Sequence, residues 1–297
     1  MSIPVSVIVP CHDVEPLVRG QIDAVLPQLR EADELVLVDN RSADGTKAVL
    51  RDAAAADSRI VVCDADDRPG ANHARNAGMR VASGDVLLLC DADDRVRPGW
   101  VEALRSALSD GGIAGGVATP VDADGSRLGP DLALQEIFGG PPYPLGACMG
   151  VHRRVIRAVG GFDESFSGGH DETDLAWRAA AAGWRTTLAS EARIDYVQRS
   201  GTRALLRQRR NYARTAVQLW VRRPETVDPH GVSLRSALRG ALGGLPDLLL
   251  ARSRSARSDA ARAWGWSLGL VEGHLRYRVL GTPPPPDVPA IPGSSPA

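Results

Sequence analysis

The chain has 297 residues, of which 43% are hydrophobic, 24% charged and only 4% aromatic. That apolar share suffices for a globular core built mainly on Val, Leu, Ile and Ala, and it excludes collagen-like and wholly disordered classes. The formal net charge of −1 conceals a division: residues 1–200 carry 20 basic against 30 acidic side chains, and residues 201–281 carry 15 against 5. Such asymmetry predicts different partners for the two parts. The four cysteines (Cys11, Cys63, Cys90, Cys148) are scattered without a CxxC pair. They read as reduced, buried thiols, not as a disulfide framework or zinc site. MSIPVSVIVPCHD has no basic stretch leading into a long apolar one, so it reads as a first strand and not as a signal peptide. The longest apolar candidate, 238–250, is broken by Pro246 and Asp247 and falls short of a membrane span. The expectation is a cytoplasmic protein, soluble or peripheral on the inner face of the membrane.

In chain order, the β-branched run 5–9 predicts a buried strand and 16–29 a helix. A strand at 34–38 delivers Asp39 at its C-terminal end, and a Ser-Ala-Asp-Gly turn leads into a helix at 46–55. A strand at 59–63, a helix at 72–82 and a fourth strand at 86–90, apolar on both faces, follow. This alternation predicts a doubly wound α/β sheet, in which ligands gather at the carboxyl ends of the strands. Asp39, Asp64 and Asp91 all fall at such ends. Residues 111–150 are looser and rich in Gly and Pro, as loops around a site often are. Helices are expected at 152–159 and 171–182. From 204 the chain reads as helical and arginine-rich, divided by Pro224, Pro229 and Pro246, and 282–297 reads as a disordered or polyproline tail.

One hexapeptide occurs twice, as Cys63-Asp-Ala-Asp-Asp-Arg68 and Cys90-Asp-Ala-Asp-Asp-Arg95. Carboxylates on a tight turn can hold a hard cation such as Mg²⁺ or Mn²⁺, which prefers oxygen ligands. Isolated acidic loops are nevertheless usually just solvated. Context separates the copies: the second follows the most apolar strand and precedes Pro98 and a helix, whereas the first runs into an ordinary Arg-Pro-Gly turn. Asp91 and Asp93 are therefore the metal-binding candidates, and 64–67 reads as loop.

Six segments together resemble the family 2 glycosyltransferases, inverting enzymes of the GT-A fold. They are VSVIVP at 5–10 with Asp13 beyond it, VDNRSADGT at 38–46, ARNAG at 74–78, GDVLLLCDADD at 84–94, GGFDE at 160–164 and HDETDLAWR at 170–178. The resemblance implies a Rossmann-like, mostly parallel sheet flanked by helices over 1–200, followed by a helical extension. It implies transfer of a sugar with inversion from a nucleotide-diphosphate sugar, a UDP-sugar in the first place, to an acceptor hydroxyl on a saccharide or lipid-linked molecule. Pro10 and Asp13 would lie under the nucleotide, Asp39 would bind the base, and Arg75 would meet the nucleotide or its phosphates. Asp91 and Asp93 would serve ribose and metal. The family's base motif, Glu-Asp-x-Asp-Leu, appears here as Asp171-Glu-Thr-Asp-Leu175, with the first two acids exchanged. Glu172 aligns with the catalytic base, and Asp171 stays a candidate. Asp195 stands near the point where relatives often carry a metal-binding histidine. Asp174 and Arg178, four apart, read as a structural ion pair.

Two alternatives accompany this reading. A nucleotidyltransferase would open with a Gly-rich basic loop, which Pro10-Cys-His-Asp13 is not. A nucleotide-sugar-binding pseudoenzyme would account for the rearranged base motif. In the basic region 201–281, Arg203, Arg207, Arg210 and Arg214 recur at helical spacing, and Trp220, Trp264 and Trp266 are available for an interface. This region is expected either to pack on the acidic catalytic domain or to make a peripheral contact with anionic lipid. No nucleic-acid module accompanies the charge.

Overall fold

A computed structural model describes residues 3–198, 201–281 and 283–291. The expected alternation is present as β1 (Val5–Cys11), α1 (Glu15–Val25), β2 (Glu34–Asp39), α2 (Thr46–Ala56), β3 (Ile60–Asp64), α3 (Ala71–Val81) and β4 (Val86–Leu89). Helix α1 ends earlier than expected, passing into one 3-10 turn at Leu26–Gln28 around Pro27. Strands β3, β2, β1 and β4 pair in parallel in that order.

Side chains alternate between the two faces of these strands, and both faces are apolar. Val7, Val9, Leu35 and Leu37 pack on one side with Val18 and Ile22 of α1, Leu50 of α2, and Trp100 and Leu104 of α4 (Trp100–Ala107). Ile8, Val36, Val38, Leu87 and Leu89 pack on the other with Ala74 and Met79 of α3, Ile156 of α5 (Arg153–Val159) and Leu175 of α6 (Asp171–Ala181). Gly78 lets α3 lie close on this second face: a Cβ there would stand 2.5 Å from Ile8 and 2.9 Å from Val38.

The region 111–150 differs from its loop-like reading. It contains β6 (Ile113–Val121) and β7 (Met149–His152). The Gly and Pro content that suppresses a strand signal in IAGGVATPV reflects crowding. Every residue of β6 is buried, and a Cβ at Gly116 would come within 2.3 Å of the Ala192 carbonyl oxygen. Strand β7 joins β4 antiparallel, β6 joins β7 antiparallel, and β8 (Thr186–Val197) joins β6 in parallel. Strand β5 (Arg95–Val96) closes the far edge against β8. The result is one mostly parallel, eight-stranded sheet.

Beyond it lie α7 (Thr202–Arg222), α8 (Leu234–Leu250) and α9 (Arg254–His274). Helix α8 runs through Pro246 instead of breaking there. The proline is exposed, so its ring has room and the carbonyl it frees can meet water. Basic side chains at the end of α7 neutralise acids of the sheet-bearing part: Arg222 pairs with Asp163 at 2.6 Å, and Arg223, just beyond the helix, reaches Asp174 at 3.3 Å. Arg210 pairs within the extension, with Glu272 at 2.6 Å. Trp220 stacks edge-on against His274, and Trp264 donates to the Ala241 carbonyl; both are spent inside the helical layer.

The tail also departs from expectation. Over 283–291 it is strapped to the sheet-bearing part instead of hanging free. The Asp287 amide donates to Asp163 at 3.0 Å, the Gly161 amide donates to the Pro289 carbonyl at 3.0 Å, and Ile291 is buried in the second core face. Residues 292–297 lie outside the described ones. Among the described residues, no helix is long and apolar enough to cross a membrane.

Candidate active site

Strand β4 ends at Leu89, and the chain turns through Asp91-Ala92-Asp93-Asp94 into β5. Gln21 of α1, fully buried, clamps both ends of this turn. Its amide donates to the Asp91 carbonyl at 3.1 Å and its oxygen accepts from the Val96 amide at 3.1 Å. Carboxylate oxygens of Asp91, Asp93 and Asp94 converge within 4.8 Å of one another. Asp94 is 3% exposed; one oxygen accepts from the Val197 amide at 2.8 Å, and the other is buried without a hydrogen-bond partner. Burial, with Asp91 and Asp93 adding repulsion, pushes its pKa up to about 9. An all-oxygen donor set with one orphaned buried carboxylate oxygen fits a divalent cation of the Mg²⁺ or Mn²⁺ kind.

The twin hexapeptide ends differently. Asp64 and Asp66 gather with Asp39 around the ammonium of Lys47, at 2.9, 3.3 and 3.8 Å. Lys47 is the chain's single lysine. That acidic group already holds its cation.

Arg75 links the carboxylate turn to the far wall. It is buried, donates to Asp91 at 3.0 Å and to Asp171 at 2.9 Å, and lies over the Phe162 ring. Burial opposes its charge, but Asp91, Asp171 and Glu172 together hold its pKa above the usual arginine value. Asp171 and Glu172 open helix α6. The preceding Gly168 and Gly169 sit at φ 124° and 130°, and a Cβ at Gly169 would lie 2.6 Å from the Tyr212 ring of α7. Only glycine lets the backbone press this close to α7 in that conformation. Next comes His170, whose ring shares a 3.0 Å hydrogen bond with Thr215 of α7. Burial lowers its pKa to about 4. Glu172 is enclosed by the cleft wall beside Asp171, and both effects push its pKa well above the usual glutamate value. Asp174 pairs with Arg178 at 2.7 Å, the structural role expected of it.

Three cavities meet here. One of about 560 Å³ is lined by Pro10, His12, Asn40, Arg75, Asp91 and Asp93. A neighbour of about 720 Å³ shares Arg75 and Asp91 with it and adds Asp171, Glu172, Asn211 and Tyr212. A third, of about 450 Å³, begins at Glu172 and is walled by Tyr143, Gln198, Arg209, Arg262 and Trp266. The structure thus brings together Pro10, Arg75, Asp91, Asp93, Asp171 and Glu172.

It does not bring in the other three expected residues. The Asp13 carboxylate turns to the Ala43 amide at 2.7 Å, and Asp39 is 1% exposed beside Lys47 behind the cavity wall. Asp195 stands outside the carboxylate group, held by Arg97 at 3.0 Å, and Asp94 occupies the third place. Asp94 was legible as the acid next to the DxD. Gln21 and the cavity-lining Tyr196, Gln208 and Tyr212 were not, since they belong to no acidic or glycine-rich motif; only the four-residue spacing of Gln208 and Tyr212 hints that they share a helix face.

The model for "Glycosyl transferase family 2" matches residues 6–159, and that for "Glycosyl transferase family group 2" matches 86–271. The chain belongs to glycosyl transferase family 2. Among curated members it is 26% identical over 200 residues to glycosyltransferase AglE of Haloferax volcanii, covering 63% of this chain and 64% of that protein. It is also 26% identical over 203 residues to the pre-mycofactocin glycosyltransferase of Mycobacterium tuberculosis, covering 60% of this chain and 42% of that one. The match thus spans less than two thirds of either relative. The structure superposes on the mannosyltransferase PcManGT of Pyrobaculum calidifontis, solved with GDP-Man and Mn²⁺, with TM-score 0.65 at 20% identity over 91% of this chain and 86% of that one. GalNAc-T7, solved with UDP, GalNAc and Mn²⁺, gives TM-score 0.56 at 16% identity, covering 75% of this chain and 51% of that one. The fold is therefore GT-A, and in this family 2 member the carboxylate-rich turn follows β4 at the carboxyl end of the parallel strands.

Proposed function

We propose that this glycosyltransferase moves a sugar from a nucleoside-diphosphate sugar to an acceptor hydroxyl with inversion, using Glu172 as general base and Asp91, Asp93 and Asp94 as the ligands of a divalent cation. The observation that carries this reading is the arrangement across one cleft: three converging carboxylates on one wall, Glu172 on the other, and Arg75 between them. GDP-Man and Mn²⁺ in one superposed protein, and UDP, GalNAc and Mn²⁺ in the other, support a nucleotide-sugar donor and such a cation here. A cation held by these carboxylates would supply charge neutralisation for the departing diphosphate.

The donor nucleotide fits the cavity lined by Pro10, His12 and Asn40, with Asp91 toward the ribose and Arg75 toward the phosphates. Asp13 and Asp39 support this wall from behind. The acceptor enters from the cavity that begins at Glu172. Glu172 takes the proton of the acceptor hydroxyl, whose oxygen forms the new bond to the anomeric carbon. The bond from that carbon to the diphosphate oxygen breaks on the opposite side, so the configuration inverts. A carboxylate with a raised pKa suits this proton transfer near neutral pH. Asp171, fixed by Arg75, orients the guanidinium and keeps Glu172 basic.

A thermal-shift screen of uridine, guanosine and other nucleoside diphosphates, with and without Mn²⁺, tests the donor side. Stabilisation should require both nucleotide and Mn²⁺ and vanish in Asp93→Ala. Nucleotide stabilisation indifferent to Mn²⁺ and to Asp93 would remove the metal from the reading.

A further inference from the structure

Helix α8 carries leucines where a buried helix face would have them, yet they are open to solvent. Leu234, Leu238, Leu242, Leu245 and Leu249 follow at intervals of four, four, three and four residues, one stripe of the helix. Their exposures run from 37% to 82%, with Leu242 the most exposed. The stripe that packs lies roughly a third of a turn around the helix: Ala237 and Gly244 are buried, and Trp264 of α9 lies against Gly244. At the neighbouring end of α9, where His274 meets the Val232 carbonyl, Leu275, Val279 and Leu280 are also 49–75% exposed. A soluble protein rarely leaves so many large apolar side chains contiguous without an occupant.

Charge selects the occupant. Arg235 and Arg239 follow the leucines around the helix by roughly a quarter turn, while Asp247, the helix's single acid, falls on the side away from the stripe. Arg252, Arg257, Arg276 and Arg278 are exposed near the helix ends. An apolar stripe edged by arginines matches an anionic bilayer surface, where the leucines enter the acyl boundary and the guanidiniums meet headgroup phosphates. A second copy would set arginine edges against one another.

We propose that the α8 face, with Leu238, Leu242, Leu245 and Leu249 as its inserted residues and Arg235 and Arg239 as its headgroup contacts, docks this enzyme on an anionic membrane. Helix α9, on which α8 packs, also supplies Arg262 and Trp266 to the cavity that begins at Glu172. Docking would therefore hold the proposed acceptor entrance near the lipid surface, as a lipid-linked acceptor requires. This last step rests on the functional reading above; the docking itself does not.

The test is flotation of the full chain with vesicles of phosphatidylcholine alone or mixed with phosphatidylglycerol. The protein should float with the anionic vesicles, less so as salt is raised, and weakly with phosphatidylcholine. Leu242→Asp/Leu249→Asp should cut bound protein by at least about tenfold, and Arg235→Gln/Arg239→Gln should remove the salt dependence. The leucines are exposed, so folding should survive, which thermal melting checks. Mn²⁺-dependent nucleotide stabilisation should stay unchanged in both variants, separating failure of docking from failure of the active-site reading. If wild type does not float, or the leucine variant floats equally well, the proposal is wrong. A dimer in light scattering that the leucine substitutions break, without flotation, would assign the face to self-association instead.

Discussion

Replacing Glu172 and Asp171 one at a time separates the base from its neighbour. Glu172→Gln keeps shape and hydrogen bonding but cannot accept the proton, so the whole general-base contribution is lost. That contribution is typically 10²- to 10⁴-fold in rate, or about 3–5 kcal/mol of barrier. Asp171→Asn is different in kind. Its oxygen can still accept from Arg75 at the 2.9 Å position seen for Asp171, so the bridge to Asp91 persists. What disappears is a negative charge that, after burial, does most to raise the pKa of Glu172. A lowered Glu172 pKa moves the acid limb of the pH–rate profile to lower pH and weakens the base, with a loss of no more than about tenfold at the optimum. The assay is initial release of nucleoside diphosphate from the donor at saturating Mn²⁺, with water or a supplied hydroxyl compound as acceptor, followed from pH 5 to pH 9. If Asp171→Asn loses as much rate as Glu172→Gln and the surviving profile does not shift, Asp171 is the base and the roles assigned here are reversed.

Other consequences concern the parts that hold the site. Asp195→Ala should leave Mn²⁺-dependent nucleotide stabilisation intact in a thermal-shift assay, because its carboxylate is engaged by Arg97; Asp94→Asn should weaken it. Gly169→Ala adds a Cβ 2.6 Å from Tyr212 at a positive φ, and should destabilise by about 1–3 kcal/mol in urea melts while lowering turnover through displacement of Glu172. His170 is neutral when folded, with its pKa lowered from 6.5 to about 4. The unfolded chain takes up a proton first as pH falls, so stability present above pH 6.5 should drain away between there and about pH 4, by up to about 3 kcal/mol. His170→Gln should flatten urea-derived stability across that window.

The catalytic sheet was legible because its parallel strands are buried on both faces, which forces the apolar runs at 5–9, 34–38 and 86–90 to declare themselves. Strand β6 is equally buried but crowded by β7, β8 and the 130–145 segment, and crowding selects Gly and Ala, which carry no strand signal. Short motifs likewise pointed to the carboxylates that the structure gathers after β4. The residues that shape the cleft from α7 stayed silent, since Gln208 and Tyr212 act through long-range packing that no local spacing encodes. Even the tail followed this pattern. Its prolines and small polar residues read as disorder, whereas contacts far away in the chain tie it down: Asp287 with Asp163 and Arg68, Pro289 with Gly161, and Ile291 in the second core face.

The duplicated hexapeptide shows how context decides chemistry at identical local sequence. Both copies gather three carboxylates after a strand, and both must therefore neutralise repelling charge. At the first, α2 projects Lys47 into the group; its ammonium pairs with Asp64 and Asp66 at 2.9 and 3.3 Å and stands 3.8 Å from Asp39, whose other oxygen is buried without a hydrogen-bond partner. At the second, the neighbouring cation, Arg75, reaches Asp91 but is shared with Asp171, and one oxygen of Asp94 is left without a partner. An arginine is also too long and planar to sit among three converging oxygens as an ammonium can. Positive charge is thus supplied to the first group by an ammonium of its own and to the second by an arginine shared with Asp171, which leaves the greater demand at the cleft. Lys47→Met should transfer that demand: the variant should gain a weak Mn²⁺ site at Asp39, Asp64 and Asp66, detectable as a second, lower-affinity phase in manganese titrations followed by electron paramagnetic resonance. A single phase identical to wild type would mean that geometry, and not the resident lysine, separates the two copies.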